Sequence, residues 1–407
     1  MTNPDKLLRR HQAALPSWTP LYYEHPLELA RGEGFKVWDS EGNEYLDFFG
    51  GIVTTISGHA VPEITDAIKS QVDKILHTST LYLIENQVRL AEKLIDLAPI
   101  SGEIIALRSS YHGSTFMTMG ITGQSTWSPT SRSALDVAYA RNPYRLRCPL
   151  CRGEGRCNLL CADDVRAVVE EETTGNVAAF IAEPIQGVGG FVDAPPGYFE
   201  RVKSILDETG ILLISDEVQT GFGRTGEHFW GIDAFDVEPD MIVMAKGLGN
   251  GLAIGAVVGR AEIIESVSPN LHLSTFGGNP ISTAGALANI EYVLDNDLQA
   301  NAHEVGTHLK NRLLQMAEDH EVVAEIRGRG LMLAIELTGD GLVPDPAAAV
   351  RFLEACRRRG LLVGKGGLKA NTIRISPPLV ITREAADEAA DIMEEALAEV
   401  GTREKVG

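Results

Sequence analysis

Apolar and polar residues alternate along this chain in two rhythms, and the change between them divides it. From Glu103 to about Arg260, short apolar runs ("EIIAL", "AAFIAE", "ILLISD", "MIVMA" and "IGAVVG") are separated by stretches such as "DDVRAVVEEE" and "PGYFERVKSILDETG". A short unbroken apolar run suits a strand buried on both faces, whereas apolar residues three and four apart suit a helix with one apolar side. The second of those helices opens on a proline and closes on a glycine, residues that fit a helix start and a helix end. Strand–helix alternation of this kind predicts an α/β fold with a mostly parallel sheet covered on both faces.

The flanks follow other patterns. "FKVWDSEGNEYLDFF" predicts two short strands around the turn residues Ser40 to Asn43. Helical spacing predicts helices over Pro62 to Ile75 and Ile84 to Leu97. Beyond Asn279 the pattern gives helices over Pro280 to Asp295 and Leu298 to His320, strands in "GLMLAIEL" and "TIRISPPLV", and a last helix from Arg383 to Val400. That tail, 296–407, reads as a smaller α+β domain beside a large domain over 59–295. No internal repeat or low-complexity segment interrupts either.

Composition narrows the function. The chain has 407 residues, 44% hydrophobic and 23% charged, ordinary for a soluble chain with a large core. A net charge of −20 argues against nucleic acid or an anionic membrane surface as a partner. No apolar run is long enough to span a bilayer. The first residues lack the apolar core of a secretory signal, and Asp5 argues against a transit peptide, so a cytoplasmic protein is expected.

Ligands of open parallel sheets bind beyond the carboxyl ends of the strands. Glu183 in "FIAEPIQGVGG", Asp216 in "ILLISDEVQTGFGRTG" and Lys246 in "MAKGLGNG" all stand at such ends. Singly, each has a plain reading as a helix cap, a loop charge or a surface lysine. Together, with glycines that let backbone approach a ligand, a carboxylate and a lysine on neighbouring strand ends fit a pyridoxal phosphate site. A partly desolvated lysine amine can attack the cofactor aldehyde. A carboxylate keeps the pyridine nitrogen protonated, so that the ring draws electrons from the substrate.

"SDEVQTGFGRTG", "MAKGLGNG", "AEPIQG" and "STFGGNP", in this order and spacing, resemble the class III pyridoxal-phosphate aminotransferases. The chain is most similar to the alanine–glyoxylate and β-alanine–pyruvate type. The resemblance covers nearly the whole chain. It implies fold type I, with a seven-stranded, mostly parallel sheet in the large domain. A small domain would be built from both termini, with 1–58 as its N-terminal part. It also implies a homodimer with each active site at the interface. Carried over by motif, Lys246 is the lysine that bonds the cofactor and shuttles the substrate proton, and Asp216 pairs with the ring nitrogen. Val218 packs on one ring face, Gln219 reaches the ring hydroxyl, and Tyr111 of "SSYHG" stacks on the opposite face with Gly113 leaving room behind it. Thr275 of "STFGG" serves the phosphate of the other subunit. Arg374 of "TIRISPP" clamps the substrate carboxylate, and Glu183 is its counter-charge.

The chain departs from the family pattern at two places. The family places a strand, a phosphate-binding loop and a helix after the second early helix. Here the chain passes from "LAPISG" straight to "EIIALRSSYHG", with only Ser101 and Gly102 near the join. The missing strand lies at the sheet's edge in the family, so "IGAVVG" is expected to become an exposed edge, and cofactor binding is expected to weaken. The second departure is Ser114, where acetylornithine- and ornithine-type relatives carry an arginine. Its loss disfavours a second substrate carboxylate and favours alanine, β-alanine or aminoisobutyrate as donor, with glyoxylate or pyruvate as acceptor.

"CPLCRGEGRCNLLC" places Cys148, Cys151, Cys157 and Cys161 in a cysteine-rich insertion over 148–161. Four thiolates so close are a candidate structural zinc site; the competing reading is a surface insertion with reduced thiols. Cys356 is expected inside a helix. Three rival functions remain to be weighed. A dinucleotide-dependent dehydrogenase is set aside, because "GLGNG" follows a lysine and lacks the strand–glycine–helix context. A cofactor-impaired, non-catalytic relative and a decarboxylase or aminomutase stay open.

Overall fold

The computed structural model of the chain describes residues 4–14, 21–77, 83–97, 103–124, 137–151, 157–266 and 276–401. After a helix over Pro4–Ala14 come three strands, β1 (Leu29–Glu33), β2 (Lys36–Asp39) and β3 (Glu44–Asp47). The turn between β2 and β3 is the predicted one. Asp39 fixes it, its carboxylate accepting from the amides of Glu41 and Asn43 and from the Tyr45 hydroxyl.

Helices Pro62–Val72 and Glu85–Leu97 lead to the large sheet. The chain lays down β4 (Glu103–Leu107), β5 (Tyr139–Ala140) and β6 (Ala179–Ala182), then a small hairpin of β7 (Ile185–Gln186) and β8 (Val192–Asp193). It returns to the sheet as β9 (Leu212–Asp216), β10 (Met241–Met244) and β11 (Ala256–Gly259). The order is β11-β10-β9-β6-β4-β5, and every pairing is parallel except β10 with β11. Five of these strands are the five apolar runs of the sequence; β5, two residues long, leaves no run to read. β11 ends the order, and Val257 on it is 52% exposed. Among the described residues, then, "IGAVVG" forms the open edge that the sequence predicted.

Helix Tyr198–Thr209 shows how the sheet is covered. Tyr198, Phe199, Val202, Ile205 and Leu206 are buried, a helical stripe that packs toward the sheet. Burial of each such side chain stabilises the fold by about 1.5–3 kcal/mol. Gly210, at φ 69°, closes the helix, and its amide donates to the Leu206 carbonyl.

Helices Pro280–Asp295 and Leu298–Asp319 then lead to β12 (Val323–Arg329) and β13 (Met332–Leu337). Helix Pro346–Arg358, with Cys356 buried on it, precedes β14 (Leu361–Leu362), β15 (Gly364–Gly366) and β16 (Thr372–Ile375). Strands β12-β13-β16-β15 form an antiparallel sheet, while β14 pairs parallel with β3, so the two ends of the chain share a sheet. The final helix is Arg383–Gly401. Buried Glu336 on β13 cross-ties the parts: it accepts from the Tyr144 hydroxyl, from Arg147 Nε at 2.7 Å and from Arg327 Nη1 at 2.7 Å. Among the described residues no helix is long and apolar enough to cross a membrane.

Candidate active site

β9 ends on Asp216, with Glu217 next, and alternation along an extended chain sends the two carboxylates to opposite sides. Glu217 turns away from the strand-end cleft. It accepts from Ser215 Oγ at 3.0 Å, from Thr220 Oγ1, and from the amides of Gly231 and Ile232 at 2.9 Å each. Burial pushes its carboxyl up to about 7 against those donors. It braces a turn.

Asp216 faces His112. Its Oδ2 lies 2.6 Å from His112 Nδ1, and its Oδ1 accepts from the Val218 amide at 3.1 Å. Burial alone would lower the His112 pKa, but the Asp216 hydrogen bond and charge, with the charge of Glu183, raise it on balance. His112 lies within "SSYHG", yet nothing in the spacing announces a partner 104 residues away; only the fold joins them.

Glu183 follows β6 directly. Its Oε1 accepts from the Tyr111 amide at 3.0 Å and its Oε2 from the Gly187 amide at 2.7 Å. Burial and the Asp216 charge raise its pKa, while His112 and the two amides oppose them. Both its oxygens accept from backbone amides. Its charge reaches Arg374 only as a longer-range influence.

Lys246 opens a single turn, Lys246–Leu248, after β10. Its φ of 29° is unusual for a residue with a side chain and costs about 1–3 kcal/mol. Burial lowers its amine pKa; Asp216 and Glu183 pull the other way, and Arg374 adds to the lowering. The ends of β6, β9 and β10 and the segment after β4 thus converge, as an open parallel sheet leads one to expect.

Arg374 reaches the same space from β16. Its guanidinium is buried over the rings of Phe49 at 5.2 Å and Phe191 at 5.6 Å, and its Nε and Nη1 find no hydrogen-bond partner among the described residues. Burial lowers its pKa, with Tyr22 and Glu183 opposing. The Tyr111 hydroxyl lies 2.8 Å from Ser114 Oγ. Gly113, at φ 122°, packs so close to Thr118 that a Cβ would meet Thr118 Oγ1 at 2.9 Å. Gln219 is buried with Oε1 unpartnered among the described residues, and lies over Gly187, where a Cβ would meet its Nε2 at 2.2 Å. Thr275 and the join at Ser101 and Gly102 lie outside the described residues.

These groups fit the ring of a pyridoxal cofactor. The Asp216–His112 pair offers a fixed negative charge for a pyridinium, the orphaned Gln219 Oε1 is an acceptor for a ring hydroxyl, and Lys246 supplies the amine. The zinc expectation does not fare as well. Among the described residues no group of three or more His, Cys, Asp or Glu is arranged to hold a metal ion. Cys148, Cys151, Cys157 and Cys161 are free thiols. Burial first, then the neighbouring thiols, push Cys161 up to about 12.

The profile of the class-III aminotransferase family matches residues 21–102 and 98–397. The two matched stretches meet where the chain runs from its second early helix into β4. The chain is 36% identical to the mitochondrial alanine–glyoxylate aminotransferase 2 homolog 2 of Arabidopsis thaliana, over 95% of this chain and 86% of that protein. It is also 36% identical to a leucine/methionine racemase of Thermococcus litoralis, over 97% of this chain and 96% of that one. Among solved structures, an amine transaminase from an uncultivated Pseudomonas species, in its pyridoxal-phosphate-bound form, superposes with a TM-score of 0.86. It is 29% identical, over 92% of this chain and 95% of that one.

Proposed function

Since the chain belongs to the class-III aminotransferases, pyridoxal-phosphate-dependent enzymes of fold type I, we propose the following reaction for it. It moves the amino group of a small amino acid (alanine, β-alanine or an aminoisobutyrate) onto a keto acid such as glyoxylate or pyruvate. One observation carries this reading: Asp216 closes β9 beside Val243 of β10, and Lys246 opens the turn that directly follows β10, so the carboxylate and the half-buried amine share one strand-end cleft.

The cofactor, when bound, supplies a ring that accepts electrons from the substrate α-carbon. Lys246 Nζ takes the proton from that carbon and returns it elsewhere, and burial keeps more of the amine neutral for the task. Asp216, pinned by His112 and the Val218 amide, presents a carboxylate to the ring nitrogen. Gln219 Oε1 would accept from the ring hydroxyl, and Tyr111 and Val218 would hold the ring between them. Arg374, whose Nε and Nη1 are without partners among the described residues, offers its guanidinium to the substrate carboxylate. Glu183 orients the Tyr111 and Gly187 backbone.

Ser114 supports a small donor, because the group that meets the Tyr111 hydroxyl there is a hydroxyl and not a cation. A homodimer, with Thr275 serving the other subunit, belongs to the same reading. Exposed Ile75, Leu76, Leu83 and Phe276 support an apolar contact.

The test is to load the protein with pyridoxal phosphate, supply alanine or β-alanine with glyoxylate or pyruvate, and measure the new amino acid. A marked preference for acetylornithine would overturn the donor assignment. Racemisation without transfer would favour the chemistry that the Thermococcus relative's name carries. No visible absorbance after adding cofactor would favour a cofactor-impaired relative, a reading supported by the break in the family match at 98–102.

A further inference from the structure

The Lys246 turn is held from behind by a buried polar cluster with no part in the chemistry above. Asn289, fully buried on helix Pro280–Asp295, donates from Nδ2 to the carbonyls of Gly247 at 2.8 Å and Leu248 at 3.1 Å. Its Oδ1 accepts from Ser57 Oγ at 2.6 Å, and Ser57 is also fully buried. The hydroxyl therefore sets which end of the amide faces the turn. Ser57's own amide donates to Asn250 Oδ1 at 3.1 Å, and Asn250 Nδ2 donates to the Gly58 carbonyl at 3.1 Å. Two asparagines thus stitch the Lys246–Asn250 stretch to residues 56–58.

Asn289 departs from the helix around it. Thr283, Ala284, Gly285, Ala286, Leu287, Ile290 and Val293 are the other buried residues of its middle and end, small or apolar except for one hydroxyl. A primary amide buried in such company is costly unless its partners are met, and here both ends are met by the lysine turn and Ser57. The same 56–58 segment, with Phe48, is tied to the residues just past the strand that carries Arg374. The Ile56 carbonyl accepts from the Leu379 amide at 2.5 Å, and the Phe48 carbonyl accepts from the Ser376 amide at 2.7 Å.

We infer that Asn289, oriented by Ser57, is a positioning residue for Lys246: it clamps the carbonyls of the turn, holds the lysine at its left-handed φ, and fixes the amine relative to the Arg374 guanidinium. This rests on the aminotransferase reading of Lys246. Reaching the substrate α-carbon demands placement finer than about 1 Å, since small displacements of a catalytic group cost up to roughly a hundredfold in rate. Asn289→Ala removes both donors to the turn; Ser57→Ala leaves the amide in place but unoriented.

Three measurements on the full chain test it. In cofactor-free protein, hydrogen exchange of the peptide amides at 247–252 should speed up by about tenfold in Asn289→Ala, with little change in helix Tyr198–Thr209. In loaded protein, the pH at which visible absorbance changes should shift. With alanine deuterated at its α-carbon, kcat should fall by about tenfold or more, with KM within about twofold and a larger isotope effect, as expected for impaired proton transfer. Ser57→Ala should move all three in the same direction by less, and decides the matter if Asn289→Ala does not fold. Folded variants with wild-type exchange, absorbance profile and isotope effect would overturn the assignment. Absence of turnover in the wild type would instead count against the reaction proposed above, while the exchange measurement would still report on the clamp.

Discussion

His112 Nδ1 and Asp216 Oδ2, 2.6 Å apart and buried, make the negative charge of the site a property of a pair. The carboxylate's hydrogen bond and charge raise the histidine's pKa against burial, and the same hydrogen bond sets the carboxylate's direction. Replacing Asp216 by Asn should strip the ring nitrogen of its charged partner and leave His112 facing a neutral amide. Turnover should fall by roughly 10²- to 10³-fold, the usual cost of losing a preorganised electrostatic group. Steady-state kinetics of the loaded variant would check this.

Burial lowers the Lys246 amine, so at any pH below its ordinary value of 10.5 more of it is neutral than in a surface lysine. In cofactor-free protein an amine-directed reagent at pH 8 should label Lys246 ahead of the exposed lysines, and the labelling rate should level off below pH 10.5. Peptide mapping against pH would show it; labelling no faster than at Lys69 would contradict it.

Arg374 should matter to substrates in proportion to what they offer it. Arg374→Leu should lower kcat/KM for alanine by about 10- to 100-fold, the equivalent of a charged hydrogen bond worth about 1.5–3 kcal/mol. A donor amine without a carboxylate should lose far less. Comparing the two donors in one variant separates loss of recognition from loss of fold.

Glu217 makes a prediction about stability. Its folded pKa of about 7 lies above the ordinary 4.5, so the folded state binds its proton more tightly than the unfolded chain. The stability this gives is full below about pH 4.5 and is lost as pH rises through about 7. Melting temperature should therefore contain a downward contribution of a few degrees between pH 5 and 7.5, and Glu217→Gln should flatten it.

The break near Gly102 bears on the cofactor's phosphate. If the family's phosphate-binding helix terminus is lacking there, the reading that the two-stretch family match supports, binding should weaken by about one to a few kcal/mol. Equilibrium dialysis should then show pyridoxal phosphate escaping at concentrations that saturate an intact relative; saturation at micromolar cofactor would refute the weakening.

How far the sequence reached follows from what each signal encodes. β6, β9 and β10 were readable because strands buried on both faces must be apolar throughout, and Asp216 and Lys246 could be placed because they interrupt such runs at the ends. Partners joined only by the fold could not be read. His112 meets Asp216 across 104 positions, and Asn289 meets Ser57 across 232, distances at which periodicity carries nothing. Glu183 shows the same limit: that its oxygens accept from the Tyr111 and Gly187 amides is seen only once the chain is folded.

β11 leaves one practical consequence. Among the described residues it pairs on one side only, with Val257 turned to water, and such a rim can seed ribbon-to-ribbon growth between molecules when the solution is concentrated. A lysine at that single position would make the rim self-repelling, and so keep the preparation clear.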